Sequence, residues 1–193
     1  MDIIVDGTGS GYKAQVDSDN KLAVASVSRS YLSYISAVKE LAFAVTTGFL
    51  TVTTTGGRVL FIKNTDPNRK ICLDRFFGYW DGGTDGTKVC QILICNGDTA
   101  PTTNIVVSAA GNMNQGSTKV ALADVLVWNG VGDGMTGGTP VAAGNAAMFT
   151  RGSQENNLDG TIILPYDKTI SINAKGITAG VVAVAIVFHY EDN

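Results

Sequence analysis

The clearest pattern of hydrophobic and polar positions lies near the end of the chain, in residues 161–190. In residues 169–174 every second position is apolar, which is the period of a strand with one buried face and one wet face. Residues 181–190 are apolar at nearly every position, which is typical of a strand covered on both faces. This second strand is therefore expected in the interior of a sheet, beneath another sheet or another subunit.

The two faces of the strand at residues 181–190 differ in the size of their side chains. Large residues fall on one face, namely Val182, Val184, Ile186, Phe188 and Tyr190, and smaller ones on the other, namely Val181, Ala183, Ala185 and Val187. Small side chains let a second layer approach closely. Because the chain has few amphipathic elements to cover both faces, the pattern predicts a homo-oligomer, which we expect to be a trimer.

Short strand-like runs separated by turn residues continue through the middle of the chain. The threonine-rich residues 47–55, the turn Gly56-Gly57 and the buried run 59–62 predict a β-hairpin. Further strands are predicted at residues 71–80, 89–95 and 120–128.

Other parts of the chain lack a clear strand pattern. Residues 28–47 predict a short helical or extended linker, whereas the glycine-rich residues 129–144 and the polar residues 151–160 predict long loops. Strands and turns without a long amphipathic helix predict an all-β fold, an antiparallel β-sandwich of jelly-roll type.

The first 30 residues predict a separate arm. Alternating residues 12–16, a turn at 17–20 and a returning strand at 21–27 predict a hairpin, which is marginal in water on its own and must lie against another surface. We therefore expect a docking arm in residues 1–30 and a β-sandwich domain in residues 31–193. The residues expected to bind a partner are Ile3, Val5, Tyr12, Val16, Leu22 and Val24.

Composition narrows the classes of function. The chain has 193 residues, enough for one sizeable core, and its 23 glycines favour turns over long solvated helices. A net charge of -3 without a cluster of Lys and Arg predicts no nucleic-acid partner. Neither a signal peptide nor a membrane span is recognised, so the sequence predicts a soluble protein made in a cytoplasm, with no membrane partner.

Cysteine and histidine give little sign of chemistry. Cys72, Cys90 and Cys95 lie in apolar strand-like runs and have no metal-type spacing with the only histidine, His189. They are interpreted as reduced core thiols. His189, near the end of the last strand, is interpreted as facing water or a subunit.

No motif predicts an active site. The glycine-rich residues 7–11 depart from the G-x-G-x-x-G pattern and precede no helix, which favours a flexible turn over a phosphate site. Several aspartates offer carboxylates for glycoside hydrolysis, but sequence gives no separation between them. The sequence therefore predicts no catalytic residue, no metal ligand and no cofactor.

Two interpretations stay open for Trp80 and Trp128, each of which precedes a glycine-rich segment. The two indoles are candidates for an aromatic platform that binds the sugar rings of a glycan. Aromatic residues at strand ends more commonly close the ends of a sandwich core, and this second interpretation is favoured.

Five segments together resemble a family of structural proteins from tailed-phage particles, small β-sandwich proteins of head decorations, fibres and necks. The matching segments are DGTGSGYKAQVD at 6–17, NKL at 20–22, IKNTD at 62–66, NMNQGS at 112–117, and the ending from IILP at 162–165 to VFHY at 187–190. The resemblance implies a non-enzymatic virion protein. It is expected to be a capsid decoration (cement) or head-associated protein that binds the shell through its N-terminal arm. The implied partners are further copies of itself and the major capsid or other virion proteins.

Two other classes of function remain open. A neck, tail or fibre protein with a carbohydrate- or receptor-binding role would use the loops after Trp80 and Trp128. An enzyme would need a cleft with carboxylates of perturbed pKa.

Overall fold

The computed structural model describes residues 3–5, 13–15, 31–52, 57–81, 90–97, 99–129, 139–140, 146–149, 152–176 and 180–193. The chain divides into two compact units, Met1–Ser30 and Tyr31–Asn193. In the first unit, strand β1 (Ile3–Val5) pairs antiparallel with β2 (Lys13–Gln15). The returning strand predicted at residues 21–27 lies outside the described residues.

The second unit begins with a short helical segment and continues almost entirely in strands. Helix α1 (Tyr31–Tyr34) runs into a π-helical turn (Ile35–Lys39) that ends at Glu40, whose φ is 57°. The described strands that follow are β3 (Ala42–Thr46), β4 (Leu50–Val52), β5 (Gly57–Asn64), β6 (Arg69–Asp81), β7 (Cys90–Asn96), β8 (Ile105–Ser108), β9 (Gly111–Asn112), β10 (Ala123–Trp128), β11 (Thr139–Pro140), β12 (Ala146–Phe149), β13 (Gly152–Leu164), β14 (Thr169–Gly176) and β15 (Gly180–Asp192).

These strands form two antiparallel sheets packed against each other, which confirms the predicted all-β sandwich. Along the first sheet the order is β11-β7-β14-β5-β10-β8, and β12 also pairs with β7. Along the second sheet it is β13-β6-β15-β3-β9, and β4 also pairs with β15. Because β13, β14 and β15 alternate between the sheets, the end of the chain ties the two layers together.

Strand β15 lies inside the second sheet, as predicted. One edge pairs with β6 along nearly the whole strand, and the other pairs with β3 and β4. The large residues on one face are all buried in the core between the sheets: Val182, Val184, Ile186, Phe188 and Tyr190. Each such side chain contributes about 1.5–3 kcal/mol when it leaves water.

The prediction that β15 is buried on both faces is wrong for part of the strand. On the second face Val187 is buried, but Val181, Ala183 and Ala185 are only half-buried. In a two-layer sandwich each sheet has one face in the core, so the second face of β15 lies on the outer surface of the second sheet.

The outer face of the first sheet is covered at its centre. Ser171 pairs with both Phe61 and Cys95 on that face, and all three residues are fully buried. Arg58 Nη1 also donates a 2.7 Å hydrogen bond to Thr99 O, in the connection between β7 and β8. The centre of the first sheet's outer face is therefore covered more fully than the second sheet's outer face is at Val181, Ala183 and Ala185.

A buried asparagine joins the two sheets at one end of the sandwich. Asn64, at the end of β5 in the first sheet, donates from Nδ2 to the carbonyl oxygens of Arg69 and Leu164, which belong to the second sheet. Its Oδ1 accepts from the backbone N–H of Asp66 at 3.0 Å, so the polar atoms of this buried side chain are paired. The turn at residues 64–68 is thus held by side-chain to backbone hydrogen bonds.

Three predicted elements differ from the structure, and one is the loop predicted at residues 129–144, where Thr139–Pro140 form strand β11. Strand β4 lies in the second sheet and β5 lies in the first. The hairpin predicted around Gly56-Gly57 is therefore wrong, because the chain passes from one sheet to the other between these two strands. Residues 152–164 form edge strand β13 rather than a loop. The loop prediction failed because an edge strand beside solvent can carry polar residues at most positions.

Within the described residues, no helix has both the length and the apolar character needed to cross a membrane.

We expect Gly180→Ala to lower the free energy of unfolding by about 1–3 kcal/mol, because overpacking a close contact forces the backbone to move. A Cβ atom at this position would lie 2.7 Å from Asp81 O and would overlap the Trp80 indole. Gly116→Ala is the control, since its Cβ would meet Asn114 Oδ1 at an ordinary 3.5 Å. Urea unfolding of both variants tests this expectation, and equal stabilities would contradict the close packing of β15 on β6.

Candidate functional site

The outer face of the second sheet carries the best candidate site. Alternation along β15 places its second set of side chains on this face, beside the outward side chains of β6. The character of the face changes along the strands. Along β15, the outward side chains near Val181 are apolar, whereas those near Glu191 are ionisable.

We call the first part the apolar end, which consists of Phe49, Phe77, Tyr79, Val181, Ala183 and Ala185. Ala183 lies opposite Tyr79 and Ala185 lies opposite Phe77, so each small residue of β15 stands beside a ring of β6. The Phe49 ring packs edge-on against the Tyr79 ring with 5.5 Å between their centroids, yet Phe49 is 74% exposed. Large aromatic surface is thus presented to solvent next to a shallow strip of small side chains.

The second part depends on a bulge in the sheet. The register between β6 and β15 shifts between the pairs Val187–Arg75 and Phe188–Leu73, which leaves Asp74 without an opposite residue on β15. The register of β13 with β6 also shifts at this level, between Asn157 and Ile162. Bulges commonly re-aim a side chain, and here the Asp74 carboxylate meets His189.

The four residues Cys72, Asp74, His189 and Glu191 form what we call the histidine cluster. His189 lies opposite Cys72 in the register and two residues before Glu191 on the same face of β15. Its Nδ1 lies 2.8 Å from Asp74 Oδ2, and its Nε2 lies 3.3 Å from Glu191 Oε1. Since a carboxylate is an acceptor only, Nδ1–H donates to Asp74.

The prediction that His189 faces water or a subunit is therefore wrong. The residue is only 2% exposed, because the sheet bulge supplies a carboxylate partner inside the fold. Gly160 in β13 lies against the cluster, since a Cβ atom there would be 3.9 Å from His189 Cε1. The buried imidazole of β15 is thus flanked by β6 and β13.

Burial and charge act in opposite directions on His189. Burial lowers the pKa of His189 and is the largest single effect, but hydrogen bonds and charge from Asp74, and then from Glu191, together outweigh it. The pKa of His189 therefore lies above its ordinary value of 6.5.

The Cys72 thiol is poorly suited to nucleophilic chemistry in this state. Burial first, and then the charge of Glu191, raise the pKa of Cys72 to about 12. A reactive cysteine needs a thiolate and access to its substrate, whereas Cys72 is protonated at neutral pH and 2% exposed. The Cys–His–Asp constellation is therefore unlike an activated catalytic triad.

The same cluster has the donor atoms of a metal site. Ligand atoms of Cys72, His189 and Glu191 all lie within 4.8 Å of one another. The sequence does not reveal this group because the three residues come from two strands far apart in the chain. The available signal was a charged residue, Asp74, and a histidine within buried strands, since buried charges are usually paired.

The other residues predicted from sequence lie elsewhere. Ile3 and Val5 are in β1, where only the backbone is described, and Tyr12, Val16, Leu22 and Val24 lie outside the described residues, as does the turn at residues 7–11. Cys72 and Cys95 are buried and reduced, as predicted, whereas the side chain of Cys90 lies outside the described part of the chain.

Trp80 and Trp128 are both buried and belong to the core between the sheets. This placement agrees with the favoured interpretation of the two residues, that they close the core. A sugar ring would have to displace part of the core in order to stack on either indole.

Similarity to known proteins gives no function for the outer face. No protein-family model matches the chain, and neither a curated protein nor a solved structure matches it. The site is therefore defined by the geometry of the described residues alone.

We expect Asp74→Asn to lower the free energy of unfolding by about 1.5–3 kcal/mol at slightly acidic pH, because it removes a buried hydrogen bond between charged groups. The pKa of His189 is raised in the folded chain, so the stabilisation by charged imidazole is complete below the unfolded value of 6.5 and is lost as pH rises through the folded pKa. The loss caused by Asp74→Asn should accordingly shrink at alkaline pH. Urea unfolding of the wild-type chain and the variant at several pH values, with a chelator present, measures this difference in the free energy of unfolding.

Glu155→Gln provides the control for this measurement. It breaks an ion pair with Arg75 on the same sheet, but both of those side chains are about half exposed, so we expect at most about 1 kcal/mol and no trend with pH. A loss for Asp74→Asn that equals the control, or that grows with pH, would contradict the buried ion pair.

Proposed function

We propose that this chain is a non-enzymatic structural subunit of a tailed-phage particle, a capsid decoration (cement) or head-associated protein that assembles as a homotrimer in the virion. The apolar end of the second sheet is the observation that supports self-assembly most strongly. The resemblance of the sequence segments to phage structural proteins supports the proposed location in a phage particle.

The apolar end has the character of a protein-binding surface. Exposed aromatic residues that adjoin other apolar residues on one sheet face indicate a binding surface more strongly than single exposed apolar residues do. Phe49 projects beside the small residues Ala183 and Ala185, so a neighbouring subunit can approach the strand closely. Aromatic anchors of this kind are enriched at protein interfaces.

A second apolar surface supports the trimer over a dimer. In a closed ring of three identical subunits, each interface joins two different surfaces of the subunit, whereas a twofold dimer needs only one. Strand β8 stands at the end of the first sheet, where Val107 is 78% exposed and the adjacent Val106 is also exposed. We call these two residues the β8 edge, and propose that it binds the apolar end of the next subunit.

A structural role also agrees with the chemistry of the histidine cluster. Its thiol is protonated and buried, and its imidazole is held between two carboxylates inside the sheet. Such an arrangement stabilises a fold more readily than it turns over a substrate.

The N-terminal unit, Met1–Ser30, is proposed to bind the shell or another virion protein. A short hairpin gains stability by adding strands to a neighbouring sheet, where backbone hydrogen bonds supply affinity and alternate side chains fill pockets. The alternative, a neck, tail or fibre protein that binds a carbohydrate or a receptor, loses its expected platform because Trp80 and Trp128 are buried.

The proposal predicts that the purified chain is a trimer at micromolar concentration in light scattering. Phe49→Asp and Val107→Asp should each yield monomers, because a charge at either surface would have to be desolvated in the same interface. Tyr166→Asp is the matched control, since Tyr166 is 53% exposed in the turn before β14 and should leave the trimer intact.

A wild-type monomer would contradict self-assembly. A dimer that dissociates with Phe49→Asp but not with Val107→Asp would instead indicate a twofold interface and contradict the ring. Circular dichroism of each variant checks that the sandwich remains folded.

A further inference from the structure

We propose that Cys72, His189 and Glu191 bind a zinc-class divalent metal ion, with Asp74 holding the imidazole in place. The sequence predicted no metal ligand, and this site does not depend on self-assembly. It lies at the polar end of the outer face, where β6 and β15 pair across the bulge.

The three donor atoms are those that zinc accepts in proteins. Zinc binds cysteine sulfur, histidine nitrogen and carboxylate oxygen in tetrahedral sites, and three protein ligands leave one position for water. Thiolate and imidazole together disfavour Mg²⁺ and Ca²⁺, which prefer oxygen ligands. The donor set therefore selects the class of metal.

The spacing of the donors is close to what such an ion needs. Tetrahedral zinc with its usual bond lengths separates its ligand atoms by about 3.3–3.6 Å. His189 Nε2 and Glu191 Oε1 are already 3.3 Å apart, and Cys72 Sγ lies within 4.8 Å of its nearest neighbours in the set. A closure of about 1 Å, within reach of a Cys72 χ1 adjustment, would complete the site.

Asp74 plays the part of the outer carboxylate that metal-binding histidines commonly have. Its bond to Nδ1 fixes the orientation of the imidazole and leaves Nε2 directed toward Glu191, and it raises the basicity of the ring. Without this partner, the ring would lose the contact that selects Nε2 as the ligand.

The charges of the site favour a cation once its protons leave. When the ion binds, the Cys72 thiol and His189 Nε2 each release a proton into solvent. The ion then contacts the thiolate of Cys72 and the carboxylate of Glu191, with the carboxylate of Asp74 behind the imidazole. Lys70 Nζ lies 3.3 Å from Glu191 Oε2, and its positive charge offsets part of this negative charge. Because Glu191 is partly exposed while Cys72 and His189 are buried, the ion would enter from the Glu191 side.

Cobalt titration of the full chain tests the proposal. The protein is prepared without a histidine tag, stripped with a chelator, reduced with a phosphine and titrated with Co²⁺. We expect one equivalent to give the visible bands of four-coordinate cobalt and a near-ultraviolet thiolate-to-cobalt charge-transfer band. Zn²⁺ should abolish both, whereas Mg²⁺ should not.

Variants assign the ligands. Cys72→Ser should abolish the charge-transfer band, while Cys95→Ser, which changes an equally buried thiol in the other sheet, should leave it unchanged. Asp74→Asn should retain the band but weaken Co²⁺ affinity about 10- to 100-fold, the usual effect of losing a carboxylate behind a histidine ligand.

Glu191→Gln keeps the proposal testable if the Cys72→Ser variant fails to fold, because Glu191 is partly exposed and its amide has nearly the same shape. We expect it to weaken Co²⁺ affinity by at least about tenfold. The absence of a charge-transfer band in the wild-type chain, its persistence in folded Cys72→Ser, or unchanged affinity in Glu191→Gln would overturn the assignment.

Discussion

Strand β15 is hydrogen-bonded along both edges and buried along one face, and the rest of the second sheet depends on that arrangement. Its large residues fill the core opposite the first sheet, and its two edges pair in register with β6 and with β3. Once both edges and one face are used, only the outer face remains for contact with other molecules. Strict alternation then fixes which side chains appear there. The small residues Ala183 and Ala185, and the polar residues His189 and Glu191, are therefore displayed in a fixed order along one strand.

The bulge at Asp74 divides this outer face into two parts of different character. Up to Val187 the pairing of β15 with β6 is regular, and the outward side chains of β15 are apolar. Beyond the register shift, the carboxylate of Asp74 reaches the imidazole of His189, and a buried charge becomes tolerable because it is paired. The same slip sets His189 opposite Cys72 and so gathers thiol, imidazole and carboxylate in one place. One extra residue in β6 thus separates the proposed subunit surface at one end of the face from the proposed metal ligands at the other.

The sequence predicted the parts of this structure that depend on local periodicity. Residues 169–174 and 181–190 alternate or are uniformly apolar, and they form the strands β14 and β15. Strand β13 was missed because a polar edge strand leaves no hydrophobic pattern. The histidine cluster was missed because Asp74 and His189 lie 115 residues apart, and their contact depends on a bulge whose position no local pattern reports. Residue propensities do not determine the register between strands that are distant in the chain. In this protein that register brings the residues of the histidine cluster together.

Hydrogen exchange of the free chain tests the central role of β15 most directly. Amides in the middle of β15, between Val182 and Phe188, should exchange only through global unfolding and should be among the slowest in the protein. Amides of β8, which ends the first sheet, should exchange faster through local opening. If the β15 amides instead exchange as fast as those of β8, the strand is not the element on which the second sheet depends. The outer face would then lack the fixed framework that both proposals require.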